Sequence, residues 1–183
     1  MKHLFKRFTV AGAGIAWMLT APLPALAQQV ETAASVDLTR YAGRWYEIAR
    51  FPNSFQKQCI GNITADYRPM PDKTIEIANR CKMADGSLDL AVGQARVIDK
   101  SGNAKLQVSF APAWLSWIPM VWGDYWVLEL DKNYSVATVG SPDRQYLWIL
   151  SRTPTISQAD YESRVDNATK QGFDTSRLIK TRQ

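Results

Sequence analysis

From Arg44 to Arg152 the chain alternates apolar and polar residues with a period near two, and turn-forming residues interrupt it at short intervals. Lys105-Leu106-Gln107-Val108-Ser109-Phe110 shows this most cleanly: Leu106, Val108 and Phe110 fall on one side, and Lys105, Gln107 and Ser109 on the other. Successive side chains of a strand point to opposite faces, so the pattern marks strands with one dry face. Residues 63–67 and 75–77 alternate in the same way around a turn at 69–73. Further strands are expected at about 44–51, 88–98, 124–131, 135–140 and 145–152. Eight strands joined by short turns predict an all-β antiparallel barrel or sandwich rather than a βαβ fold. Helical spacing occurs near the end of the chain, where Ser157 and Asp160 resemble a capping box. Tyr161, Val165 and Ala168 then form one apolar stripe, and Gly172 can close the helix.

The first residues read as an export signal. Lys2, Lys6 and Arg7 precede an apolar run over 8–19, and Ala25-Leu26-Ala27 offers a cleavage site after residue 27. The other reading, an uncleaved anchor, suits the run less well, because it is short and is followed by Pro22 and Pro24. The expected product is exported to the periplasm, with outer-membrane association open, or secreted beyond it. No cysteine near the cut could carry an N-terminal lipid anchor. Residues 28–35, polar and small, read as a flexible lead-in, and 36–183 as one domain.

Cleavage removes three of the twenty-two basic residues and no acidic one, leaving nineteen against seventeen, a net charge of +2. Nucleic acid is therefore not an expected partner. The single histidine, His3, leaves with the signal. Without imidazole, Ser-His-Asp and Cys-His catalysis are excluded, and neither a metal site nor a cofactor is expected. Cys59 and Cys81 remain, and an even count in an oxidising compartment favours a disulfide over two buried thiols. In a hairpin turning at 69–73 they fall close to one another at its open end, so the geometry permits the bridge.

Three stretches carry a family resemblance. Gly43-Arg44-Trp45-Tyr46-Glu47-Ile48-Ala49 resembles the Gly-x-Trp motif of the lipocalins. Asp131-Lys132-Asn133-Tyr134 resembles that family's second conserved region, and Leu147-Trp148-Ile149-Leu150-Ser151-Arg152 its third. They occur in order, and the similarity runs from about Val36 to the C-terminus. Within the family the likeness is to the bacterial outer-membrane lipocalins and apolipoprotein D. The resemblance implies an eight-stranded antiparallel up-and-down barrel, closed at one end, with the C-terminal helix packed outside. It also implies a binding, transport or storage protein for a small hydrophobic ligand rather than an enzyme. Trp45 would plug the narrow end, Arg152 would lie over its indole, and Gly43 would let the backbone approach, all three as structural residues.

Side-chain parity suggests the lining. With Arg152 inward, Tyr146 and Trp148 share its face, and Trp126, Leu128 and Leu130 are the apolar set of their strand. Tyr67, Ile77, Val108 and Phe110 complete an aromatic, almost uncharged interior, with Glu47 facing inward and wanting a partner. Such side chains either fill an eight-stranded barrel or surround one small ligand; the resemblance favours a cavity. The lining offers no haem ligand and no ring of lysines for an anionic siderophore. Fatty acid, lysophospholipid and phospholipid follow in that order. Burying a sixteen-carbon chain gains on the order of 12 kcal/mol at ~0.8 kcal/mol per methylene, before the costs of association. The alternative is a lipid-modifying enzyme that uses carboxylate or tyrosine acid–base groups such as Glu47 or Tyr67.

The connection at 111–123 is unusual. Trp114, Leu115, Trp117, Ile118 and Trp122 make it apolar and rich in indole, yet it is too short to span a bilayer. Counting connections places it at the open mouth, opposite the 131–134 turn. Two readings stand: a lid folded over the cavity, or a peripheral membrane contact with its indoles at the interface.

Overall fold

The alternation resolves into eight strands in a computed structural model that describes residues 29–183. They are β1 (Gly43–Arg50), β2 (Cys59–Pro69), β3 (Ile75–Met83), β4 (Leu88–Val97), β5 (Lys105–Ser109), β6 (Gly123–Leu130), β7 (Val136–Gly140) and β8 (Leu147–Ser151). Each strand pairs antiparallel with the next, and β1 pairs with both β2 and β8, which closes the barrel. The expected signal at 1–27 lies outside the described residues.

Bulges decide which face several residues take. β1 shifts register between Glu47 and Ala49. Before the shift Trp45 belongs to the barrel interior; after it Ile48 and Ala49 both pack with Val136 and Ile149 on the outside. One extra residue in one strand inverts the pleat beyond it. β6 does the same between Val127 and Glu129.

The outer face of β1, β6, β7 and β8 is dry because α2 (Gln158–Lys170) covers it. Ser157 caps this helix, accepting from Asp160 N at 3.0 Å and donating to Asp160 Oδ2 at 2.6 Å. Tyr161 and Val165 rest on the Ile48–Ile149 cluster, and Ala168 packs with Phe51, Leu128, Leu147 and Phe173. Arg164 of the helix pairs with Glu129 of β6, which also accepts from Asn167 Nδ2 at 3.0 Å. Gly140 admits Phe173: a Cβ there would stand 2.9 Å from its ring.

Residues 29–35, expected as a flexible lead-in, instead lie along the barrel. Val30 is buried, Ala33 N donates to Val127 O at 2.9 Å and Glu31 N to Gln171 Oε1 at 2.9 Å. Backbone bonds hold this segment, and a polar composition does not reveal them. A short α1 (Leu38–Tyr41), capped by Asp37, and a two-residue β9 (Ile179–Lys180) beside β1 are too brief to show a period.

Cys59 and Cys81 form a disulfide with Cα atoms 5.5 Å apart, tying the start of β2 to β3. Its partners are separated by 22 residues, so Cys59→Ser is expected to lower stability by about 2–4 kcal/mol. Urea unfolding of both proteins under oxidising conditions checks this; coincident curves would contradict it.

Candidate functional site

The closed end is built by the three motifs together. Trp45 is completely buried, and its indole N–H donates to Tyr41 O at 2.9 Å. The Arg152 guanidinium lies 3.9 Å from the Trp45 ring centroid. It donates to four backbone carbonyls, those of Arg40 (2.7 Å), Arg44 (2.8 Å), Ala42 (2.9 Å) and Tyr41 (3.1 Å). Its Nε reaches a fifth, Tyr134 O, at 3.2 Å. Gly43 has φ +92°, and a Cβ there would sit 3.4 Å from Arg152 Nη1. Asp131 anchors the β6–β7 turn by accepting from Ser135 N (2.7 Å) and Asn133 N (3.0 Å). Tyr134 of the same turn accepts from Asp37 N at 2.9 Å, so the second motif holds α1 against the plug.

Above the plug, Tyr41, Tyr67, Ile75, Ile77, Ala95, Leu106, Val127 and Val139 fill the lower barrel. The upper barrel holds a cavity of about 610 Å³, within the range of small-molecule sites. Filled core and cavity thus share one interior. Tyr67, Ile77, Val108, Phe110, Tyr146 and Trp148 all stand in the cavity wall. Ala65 and Ala91 keep the lumen open, and Phe55, Ile63, Tyr125 and Leu150 add further apolar surface.

Trp126 and Leu128 do not line the cavity. Leu128 is buried outside the barrel with Phe51, Leu147 and Phe173, and Trp126 packs against that cluster beneath Lys105, 4.7 Å from its ring. The interior residues of this stretch are Tyr125 and Val127, with Leu130 returned to the inner cluster by the bulge. Hydrophobicity points inward only where the outer face is wet, and here α2 makes it dry. Tyr125 was missed for that reason. Its signal was the parity of its β5 partner Leu106, which shares the dry face of that strand with Val108.

Glu47 also faces the cavity, almost wholly buried, and it has three donors: Arg50 Nη1 (2.9 Å), Gln56 Nε2 (2.9 Å) and Thr181 Oγ1 (2.5 Å). These partners lie in β1, the β1–β2 connection and the C-terminal segment. At the floor, Tyr125 Oη lies 2.8 Å from Tyr41 Oη and 3.0 Å from Tyr67 Oη. Burial pushes the Tyr67 phenol up to about 12, the Tyr125 phenol well above its usual range, and Tyr41 upward too. All three are therefore neutral donors at physiological pH. Among the described residues no cysteine is free, and no group of three or more His, Cys, Asp or Glu could hold a metal ion.

The mouth is aromatic. Tyr146 stacks on Trp148 with centroids 5.8 Å apart, and Phe55 lies 5.7 Å from Tyr146 and 6.3 Å from Trp148. In the β5–β6 connection, single 3-10 turns at Ala113–Leu115 and Pro119–Val121 turn large side chains outward. Trp114 is 74% exposed, Trp117 78% and Met120 92%. Leu115 and Ile118 are half-buried. Trp122 is tied down, its N–H donating to Ser116 O at 2.8 Å and its ring lying 4.0 Å from the Arg96 guanidinium. Of the residues expected here, only Trp122 borders the cavity, together with Val121.

A closed up-and-down barrel with a plugged base, an apolar cavity and an aromatic mouth has the architecture of a β-barrel that binds small hydrophobic molecules. The family model described as "Lipocalin-like domain" matches residues 36–183, and the chain belongs to the lipocalin family, whose members bind small hydrophobic molecules. The chain is 42% identical over 158 residues to temperature-induced lipocalin-1 of Arabidopsis thaliana, covering 85% of this chain and 84% of that one. It is 36% identical over 176 residues to the outer membrane lipoprotein Blc of Escherichia coli (strain K12), covering 95% of each. Apolipoprotein D of Mus musculus is 32% identical over 154 residues, covering 80% of this chain and 77% of that protein.

Proposed function

We propose that this protein binds one small lipid in its upper-barrel cavity and carries or stores it in the cell envelope. A fatty acid is the first choice, then a lysophospholipid, then a phospholipid. The observation that carries this reading is the cavity of about 610 Å³ walled by Ile77, Val108, Phe110, Tyr146 and Trp148. An export signal at 1–27, and similarity to an outer membrane lipoprotein, support an envelope address. Acid–base catalysis is the weaker reading: Glu47 already accepts from three donors, and Tyr67 is too weak an acid to supply a base near neutral pH. Titration with hexadecanoate, followed through tryptophan emission, tests the reading. Saturation at one acid per chain is expected; emission that never changes saturably would contradict it.

The β5–β6 connection is the surface through which lipid enters. No Lys, Arg, Asp or Glu occurs from 111 to 123, and the exposed Trp114, Trp117 and Met120 project from the mouth. Indole prefers the membrane interface, where its ring is dry and its N–H wet. The outward turn of these side chains favours docking over a lid. The mature protein is expected to float with phosphatidylethanolamine–phosphatidylglycerol vesicles, and Trp114→Ser/Trp117→Ser/Met120→Ser to lose at least about fivefold of the bound fraction. Equal flotation of the two proteins, or none by the wild type, would contradict docking.

A further inference from the structure

The cavity floor carries more hydrogen-bonding capacity than the protein itself uses. Tyr41, Tyr67 and Tyr125 bring three hydroxyl protons but make only two contacts, both through Tyr125 Oη. Among the described residues these hydroxyls have no other partner, so one O–H has no acceptor in every arrangement of the three. When Tyr41 and Tyr67 both donate to Tyr125, the spare proton is on Tyr125; when the chain runs from Tyr41 through Tyr125, it is on Tyr67. Both residues stand in the cavity wall. In the reverse chain the spare proton is on Tyr41, and Tyr67 keeps an unused acceptor oxygen.

Asn79 adds a second, independent observation. It pairs with Ala65, as Ile77 pairs with Tyr67, which puts it on the same inward face of β3, one layer nearer the mouth. It stands in the cavity wall, and its Oδ1 is buried with no partner. Buried polar atoms left unpaired are few in folded proteins, and each calls for a partner. Two residue types that carry unused groups of opposite kind, a phenol donor and an amide acceptor, here line one lumen.

The charge of that partner follows from its surroundings. Among the described residues Arg80 is the only cationic one in the cavity wall, and its guanidinium is bound to Asp66. Arg152 is held beneath the floor by the Trp45 ring and the carbonyls around it. A carboxylate or phosphate at the floor would lack a counter-charge in a dry site, at a large cost. A neutral hydroxyl suits it, because it accepts from a phenol and donates to an amide carbonyl.

We infer that Tyr67, Tyr125 and Asn79 form a subsite for a neutral hydroxyl at the buried end of the ligand, so that the cavity favours acyl chains hydroxylated near the tail. This rests on the lipid-binding reading: the chain enters tail first, with its charged head at the mouth. A tail hydroxyl in a wholly apolar pocket loses its water without replacement, whereas here it is paired on arrival.

The test compares unsubstituted fatty acids of ten to eighteen carbons with their ω-hydroxy counterparts, on wild type and on Tyr67→Phe/Tyr125→Phe. In the wild type the penalty for the hydroxyl should vanish at the chain length that reaches the floor. In the double variant it should return there as a loss of about tenfold or more, the usual scale for an orphaned buried hydroxyl. Each ω-hydroxy acid is read against the unsubstituted acid of the same length on the same protein, and a circular dichroism spectrum and urea transition like those of the wild type show that the variant is folded. A hydroxyl penalty equal at every length in the wild type, or one that the substitutions leave unaltered, would overturn the subsite while the lipid-binding reading stands. Failure of both series to bind the wild type would overturn both.

Discussion

Trp45→Ala is expected to remove about 3–5 kcal/mol of folding stability, the range for emptying a fully buried aromatic site. The loss exceeds that of one ring's contacts. Trp45 has no exposed surface, packs 4.9 Å from Tyr41, and is the flat face on which the Arg152 guanidinium rests. Without it, Arg152 must bridge five carbonyls from α1, β1 and the β6–β7 turn over a void. Domains of this size hold only about 5–15 kcal/mol in all, so the variant should unfold at markedly lower urea. Arg152→Lys should also destabilise, because an ammonium offers three donors and no planar fork to spread over these carbonyls. Equilibrium urea unfolding measures both, and a loss below about 1 kcal/mol for Trp45→Ala would show that the plug carries no weight.

How much of this was legible depended on what lay on the far side of each strand. Where the outer face is wet, as along β5, the alternation of Leu106 and Val108 with Lys105 and Gln107 reported the inward side directly. Where α2 covers the outer face, both sides are apolar and parity loses its meaning. Trp126 and Leu128 were placed inside on that account, although Tyr125 and Val127 occupy the interior. The bulge between Val127 and Glu129 adds a second inversion, since a one-residue shift leaves no mark in composition. The closing residues were easier, because the resemblance named Gly43, Trp45 and Arg152 together. The partners of Glu47 were out of reach: Thr181 is more than a hundred residues away, and only the fold brings it beside β1. The order of residues 29–35 was hidden likewise, because backbone bonds such as Ala33 N to Val127 O do not depend on side-chain type.

Two tryptophans on opposite faces of the barrel wall distinguish a lipid inside the upper barrel from one bound elsewhere. Trp148 faces the lumen, stacked on Tyr146, with its N–H 3.4 Å from Gln56 Oε1. Trp126 lies on the outer side beneath Lys105, against the Leu128–Leu147 cluster. A tenfold change in affinity is about 1.4 kcal/mol, which at ~25 cal/mol per Å² requires the loss of only about 56 Å² of apolar contact. An indole in the wall can supply that area to a bound chain. The deciding measurement is the hexadecanoate dissociation constant of Trp148→Ala and Trp126→Ala beside the wild type, by a calorimetric titration that does not depend on tryptophan emission. A lipid in the cavity predicts at least about a tenfold weakening for Trp148→Ala and a change within about twofold for Trp126→Ala. Unchanged affinity in Trp148→Ala, or an equal loss in both, would contradict a ligand held in the cavity.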